Sequence, residues 1–123
     1  MIRDNFVSNP YKELEDRTYK FAQDCRDFTL GLPKNIQNFE YTKQLIRASG
    51  SQAANYIEAN EGLSSKDRCY RFKICRKETK ESKMWLRLCI IYDNPKLNIE
   101  RNRLIGEADE LRNIFSRLIQ QHS

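Results

Sequence analysis

Glycine and proline are scarce, four and three among 123 residues, and no run alternates apolar with polar residues long enough for a half-buried strand. A sheet protein with its turns is excluded on that ground, which leaves an all-α chain. Histidine is scarcer still, His122 being the only one, beside the C-terminus. Ser-His and Cys-His nucleophilic catalysis therefore lack a base. The four cysteines, Cys25, Cys69, Cys75 and Cys89, form no CxxC pair. Zinc-ligand spacing is missing, so no metal and no cofactor is expected. No apolar run is long enough to span a bilayer, and Met1–Asn5 carry no signal-peptide core. The expected setting is the cytoplasm, with reduced thiols and no membrane partner.

What the chain does have is charge and helical periodicity. Charged residues make up 32% and hydrophobic ones 39%, and the length suits one domain over residues 1–123 with a small core. Ser8-Asn9-Pro10 reads as a helix start. Leu14, Phe21, Cys25 and Phe28 then recur at helical spacing, with Thr18 and Ala22 in the same stripe, until Gly31-Leu32-Pro33 ends the run. A second helix starts near Asn35 to Asn38, with Phe39, Leu45, Ile46, Ala53 and Ile57 as its apolar side. Glu61-Gly62-Leu63-Ser64 makes a turn. A third helix takes Phe72, Cys75, Met84, Trp85, Leu88, Cys89 and Ile91 as its apolar positions, and Asp93-Asn94-Pro95 breaks it. In the fourth, Leu104, Ile105, Ala108, Leu111, Ile114, Phe115, Leu118 and Ile119 repeat at threes and fours. The expected helices are about 9–31, 36–61, 65–92 and 97–121, in an antiparallel up-down-up-down four-helix bundle. Phe21, Phe28, Phe72, Trp85 and Leu111 are its expected core residues. Apolar faces wider than an internal seam further predict a homo-oligomer.

Charge is unevenly placed. Through Gly62 there are eight Lys/Arg against nine Asp/Glu; beyond it there are fourteen against eight, for a net +5. The excess sits on the third helix, where Lys66, Arg68, Arg71, Lys73, Arg76, Lys80 and Lys83 form a basic run. Such a run predicts an acidic partner, nucleic acid above all, with RNA favoured over DNA and little sequence preference. The second helix carries a different pattern, Arg47, Ser51, Asn55 and Glu58 at i, i+4, i+8 and i+11. An antiparallel turn at Gly62 sets this stripe opposite Lys77, Glu78 and Glu81. The expectation is an interhelix polar network in which opposite charges meet, with a ligand or recognition site as the alternative.

Between Ser49 and Leu88 the chain resembles a known family. SGSQAANYIEANEG followed by SSKDRCYRFKICRKETKESKMWLRL is similar to the bacterial four helix bundle proteins found in intervening sequences of 23S ribosomal RNA genes. That family's pattern has the form RSGxSxxANYxEA, then SxxDFxxKxxxxxKExxETxxWLxL. Arg47, Ser49, Gly50, Ser51, Ala54, Asn55, Tyr56, Glu58 and Ala59 match its first half. Ser65, Asp67, Lys77, Glu78, Glu81, Trp85, Leu86 and Leu88 match its second. Ala48, Cys69 and Ser82 depart from it without disturbing helical register. The resemblance implies a bundle assembling into a homopentameric ring, with no enzymatic activity. It also links the chain, by fold alone, to the accessory variability determinant proteins of retroelements, which serve a reverse transcriptase.

The function expected from these features is a non-enzymatic, oligomeric nucleic-acid-binding protein. The alternative is a protein-interaction scaffold or accessory subunit for a reverse transcriptase or another nucleic-acid enzyme. Arg117 and His122 make an R-x4-H spacing like that of HEPN ribonucleases, a short pattern that the surrounding sequence does not support.

Overall fold

The computed structural model describes residues 9–123; Ser8 and the Met1–Asn5 segment lie outside them. Four helices follow one another, α1 Pro10–Leu30, α2 Ile36–Asn60, α3 Ser65–Leu88 and α4 Pro95–His122. Each begins on a side chain that accepts from a free backbone N–H: Asn9 from Lys12, Asn35 from Asn38, Ser64 from Asp67 and Asn94 from Leu97. Proline stands at the start of α1 and of α4, where its missing N–H costs nothing. Sequence neighbours pack on one another and α1 also packs on α4, while the diagonal pairs meet only through side chains that cross the core, as Tyr56 of α2 does to Phe115 of α4. Partners run in opposite directions along every seam. Arg17 meets Glu107 and Glu110 while Asp24 meets Arg103; Arg76 meets Ser116 while Lys83 meets Asp109. The four helices therefore alternate up and down around one core.

That core holds Phe21, Cys25 and Phe28 of α1, Leu45 and Tyr56 of α2, Phe72, Cys75 and Leu86 of α3, and Leu104, Leu111 and Phe115 of α4. Burying a side chain of this size contributes roughly 1.5–3 kcal/mol. Tyr56 lies with its ring 6.2 Å from Phe72 and 6.3 Å from Phe115, joining three helices at one level. All four cysteines are buried and free.

Several sequence expectations need correction. On α2, Phe39, Ile46 and Ile57 are 59%, 44% and 48% exposed, and the inward face is Asn38, Leu45, Ala48, Ser49, Gln52, Tyr56 and Ala59. Polar residues can face inward because each finds a bond: Gln52 Nε2 donates to the carbonyls of Thr18, at 2.8 Å, and Ser49. On α3, Met84 and Leu88 are exposed and Trp85 is only half-buried, packed at the edge of the core against Tyr41. Thr79 and Ser82 take the inward positions instead, each returning its hydroxyl to the carbonyl four residues back. Helix α3 also stops at Leu88 rather than near Tyr92. Cys89 turns extended (φ −54, ψ 134), and Asn38 then takes both polar groups of the Ile90 backbone. Helix α4 starts two residues early, because Asn94 caps it directly before Pro95.

The turn between α2 and α3 sets the level at which their side chains meet. A Cβ on Gly62 would stand 3.0 Å from the Ala59 carbonyl and 3.0 Å from Arg68 Cγ, so glycine leaves the room in which Arg68 folds over the turn, and a side chain there would push one of them aside.

Candidate functional site

Helix α3 buries Phe72, Cys75, Thr79, Ser82 and Leu86, spaced by threes and fours. Whatever falls between them must face a neighbour or the solvent. Lys66, Lys73, Lys77, Lys80 and Arg87 face the solvent, at intervals of seven, four, three and seven. At 1.5 Å per residue they form a stripe roughly 30 Å long. None of the five finds a hydrogen-bond or ion-pair partner among the described residues, and no carboxylate lies on their line except half-buried Glu81 at its edge. A stripe of unpaired cations on a rigid helix raises the local positive potential and attracts phosphates.

The rest of the basic run lies elsewhere. Arg71 turns toward α2 and donates to Asn55 Oδ1 at 2.9 Å, its guanidinium 5.9 Å from the Tyr70 ring. Arg68 lies half-buried over the α2–α3 turn. Arg76 and Lys83 lean into the groove beside α4, reaching Ser116 at 3.4 Å and Asp109 at 2.8 Å. Of the seven basic residues named from the sequence, Lys66, Lys73 and Lys80 are therefore the exposed ones without a partner, while Arg68 is unpaired but half-buried. Lys77, placed by the sequence in the polar network, stands on the stripe with them. Arg87 was missed, although it extends the same spacing seven residues past Lys80. Arg112 of α4, which borders the stripe, had no signal in the sequence because its place depends on how α3 and α4 pair.

The α2–α3 seam carries the second cluster. Arg47 reaches Glu78 at 3.5 Å and Glu81 at 3.3 Å, and Ser51 donates to Glu78 at 3.2 Å. Asn55 bonds the Ser51 carbonyl at 2.9 Å and hydroxyl at 3.2 Å. Glu58 stands apart, exposed. Glu78 is 7% exposed and its Oε1 meets no donor. These bonds fix the register of the two helices, and one buried carboxylate oxygen is left over.

The Arg117–His122 pair does not converge. Arg117 lines a hollow of about 520 Å³ against the start of α1. His122 sits on the Leu118 carbonyl at 2.9 Å, its ring 5.3 Å from that of Phe72 on α3. Burial pushes the Cys75 thiol up to about 12 and the Cys89 thiol up to about 11, and the Cys25 thiol further still, so none offers a thiolate near neutral pH. Among the described residues no group of three or more His, Cys, Asp or Glu could hold a metal ion, and no helix is long and apolar enough to cross a membrane.

Comparison with known proteins bears on this geometry. The chain is similar in fold to the crystal structure of a protein of unknown function from the S23 ribosomal protein family of Bacteroides thetaiotaomicron VPI-5482. The two superpose with a TM-score of 0.76 at 23% identity, over 89% of this chain and 97% of the other. No curated protein matches the chain. The model of the family described as 23S rRNA-intervening sequence protein matches residues 13–117, nearly the whole described bundle, and the chain belongs to that family.

Proposed function

We propose that the protein is a non-enzymatic, oligomeric bundle of the cytoplasm that binds nucleic acid, RNA rather than DNA, through the outward face of α3. The observation that carries this reading is the stripe Lys66, Lys73, Lys77, Lys80 and Arg87, exposed and free of partners along one helix. Cations paired within the chain have already spent their attraction, whereas these five keep theirs for phosphates. The structural neighbour comes from a family of ribosomal name, which favours RNA. Four buried free thiols suit a reducing compartment.

Assembly into a ring, with five copies as the resemblance implies, would repeat the stripe and multiply weak contacts by avidity. Helix α2 supports an oligomer. Phe39, Ile46 and Ile57 form an exposed apolar line along it, and Gly50 lies within that line. A Cβ on Gly50 would meet nothing within 4 Å, so the chain's own packing does not require glycine there. A second copy approaching α2 closely would.

Retention of single-stranded RNA across a salt series tests the reading. Affinity should fall steeply between about 50 and 200 mM salt, with a slope that shrinks as stripe lysines are replaced by glutamine. No retention at low salt, or a flat response, rejects it. The exposed apolar line of α2 favours a second reading, a scaffold or accessory subunit for a reverse transcriptase or another nucleic-acid enzyme. A complex with such an enzyme that survives nuclease treatment and is lost in Ile46→Lys distinguishes the two.

A further inference from the structure

Beside the stripe, α3 and α4 enclose a groove of about 170 Å³ bordered by Lys80, Lys83, Met84, Arg87, Asp109 and Arg112. Four cations share it with one carboxylate, and that carboxylate is already engaged, since Lys83 Nζ lies 2.8 Å from Asp109 Oδ1. Lys80 and Arg87 have no partner among the described residues. Arg112 is half-buried, its Nε meets no acceptor, and its Nη2 reaches only the neighbouring Asn113 Oδ1 at 3.4 Å. A guanidinium has five donors in a fixed fork and loses most when buried without acceptors. Like charges gathered in one groove also repel each other. Both costs are relieved by the same thing, a small anion with several acceptor oxygens. A groove several times the ~30 Å³ share of one water has room for it.

We propose that the α3–α4 groove seats a phosphate group, held by the Arg112 fork with Arg87 and Lys80 at its rim. Planar, multi-donor recognition is what arginine brings to phosphate, and lysine adds a point charge. The seat adjoins the stripe, and both share Lys80 and Arg87. A strand lying along the stripe therefore places one backbone phosphate in the groove while its neighbours meet Lys73 and Lys77. This rests on the nucleic-acid reading where the phosphate belongs to RNA. The groove's chemistry is the same for free phosphate.

Two probes separate the sources. Inorganic phosphate added to the 15N-labelled protein should shift the Arg112 Nε–H resonance saturably, and the shift should be lost in Arg87→Gln, an exposed substitution that leaves the core alone. Single-stranded RNA should bind Arg112→Gln roughly tenfold more weakly at low salt, with the slope of log K against log salt reduced by about 0.7. Arg112→Lys keeps the charge without the fork and should recover the salt slope but not the full affinity for RNA. Steep RNA binding that is unchanged in Arg112→Gln, with no phosphate-induced shift in the parent, overturns the groove and leaves the stripe standing. A phosphate shift without RNA retention supports the groove as a seat for free phosphate and removes the nucleic-acid reading. If neither the phosphate shift nor RNA retention is seen, both the groove and the nucleic-acid reading fall.

Discussion

Asn38 on α2 holds the Ile90 backbone from both sides: its Oδ1 accepts from the Ile90 N–H at 2.8 Å, and its Nδ2 donates to the Ile90 carbonyl at 2.9 Å. The same Nδ2 donates to the Pro33 carbonyl at 2.8 Å, so one buried amide ties the α1–α2 and α3–α4 connections together. Asn38→Ala leaves these backbone groups without partners beneath the surface, at roughly 1–3 kcal/mol for each one left unsatisfied. Urea unfolding should show a loss of several kcal/mol. Asn38→Asp should lose at least as much, since it removes both donations and buries a charge. A variant within about 0.5 kcal/mol of the parent would mean that water replaces the amide without cost.

At Trp85 the structure lowers what the sequence implies. A fully packed tryptophan cut to alanine costs about 3–5 kcal/mol, but Trp85 is half-buried beside Tyr41, ring centroids 6.1 Å apart. Its Nε1 is buried without an acceptor. Trp85→Phe therefore removes an unsatisfied donor while keeping most of the ring, and should cost under about 1 kcal/mol. Trp85→Ala should cost roughly 1–3 kcal/mol, less than Phe115→Ala. Thermal melts of the three variants check the order; a Trp85→Ala loss matching that of Phe115→Ala would place the indole in the core.

How much the sequence reveals depends on the range of the interaction. Helix starts are local, and Asn9, Asn35, Ser64 and Asn94 each cap within three residues of chain. Helices α1 and α4 were legible because the residues that turn inward, Thr18 aside, are the apolar ones recurring at helical spacing. Helix α2 was not. Its inward face takes Asn38, Ser49 and Gln52, whose partners Ile90, Ile46 and Thr18 include two that are remote in the chain, while isoleucines stay outside. Periodicity ranks residues by hydrophobicity and cannot see a polar side chain that finds its bond on another helix. The basic run was legible as a charge excess. Which cations remain free was not, because Arg71 and Lys83 are claimed by Asn55 and Asp109 across two different seams.

The thiols should be silent in the folded protein. Removal from water is the first cause of the raised values at Cys25, Cys75 and Cys89, and the thiolate is the reactive form. Labelling with a thiol-specific disulfide reagent at neutral pH should be negligible without denaturant and reach four equivalents in guanidinium. Rapid labelling of the native protein would show that the bundle opens locally around a cysteine.

Asp24 gives the stability a dependence on acid. Burial pushes its carboxyl up, but Lys20 and Arg103, at 2.9 and 3.1 Å, outweigh burial and hold it below its ordinary value. A folded value below the unfolded one of about 3.9 means that the bonus is present above that pH and is lost as pH falls through the folded value. The melting temperature should therefore decline below about pH 4, and less steeply in Asp24→Asn. Equal slopes in parent and variant would assign the acid sensitivity to other carboxylates.

The last prediction separates a lone bundle from an assembled one, and Gly50 makes the separation possible. Within one chain, glycine in a helix interior loses about 0.5–1 kcal/mol relative to alanine, and a Cβ here meets nothing within 4 Å. If the chain acts alone, Gly50→Ala should raise the melting temperature and change nothing else. If α2 packs on another copy through Phe39, Ile46 and Ile57, an added methyl between them pushes the second backbone away. Light scattering at micromolar concentration should then give a mass of several chains for the parent. Gly50→Leu and Ile46→Lys should give the mass of one, with helical circular dichroism unchanged because neither position is in the bundle core. A closed ring is expected for a repeated head-to-tail interface, since the contact otherwise propagates into a fibre. A parent mass of one chain, with Gly50→Ala simply more stable, would refute the assembly and leave the apolar line of α2 to a partner of another kind.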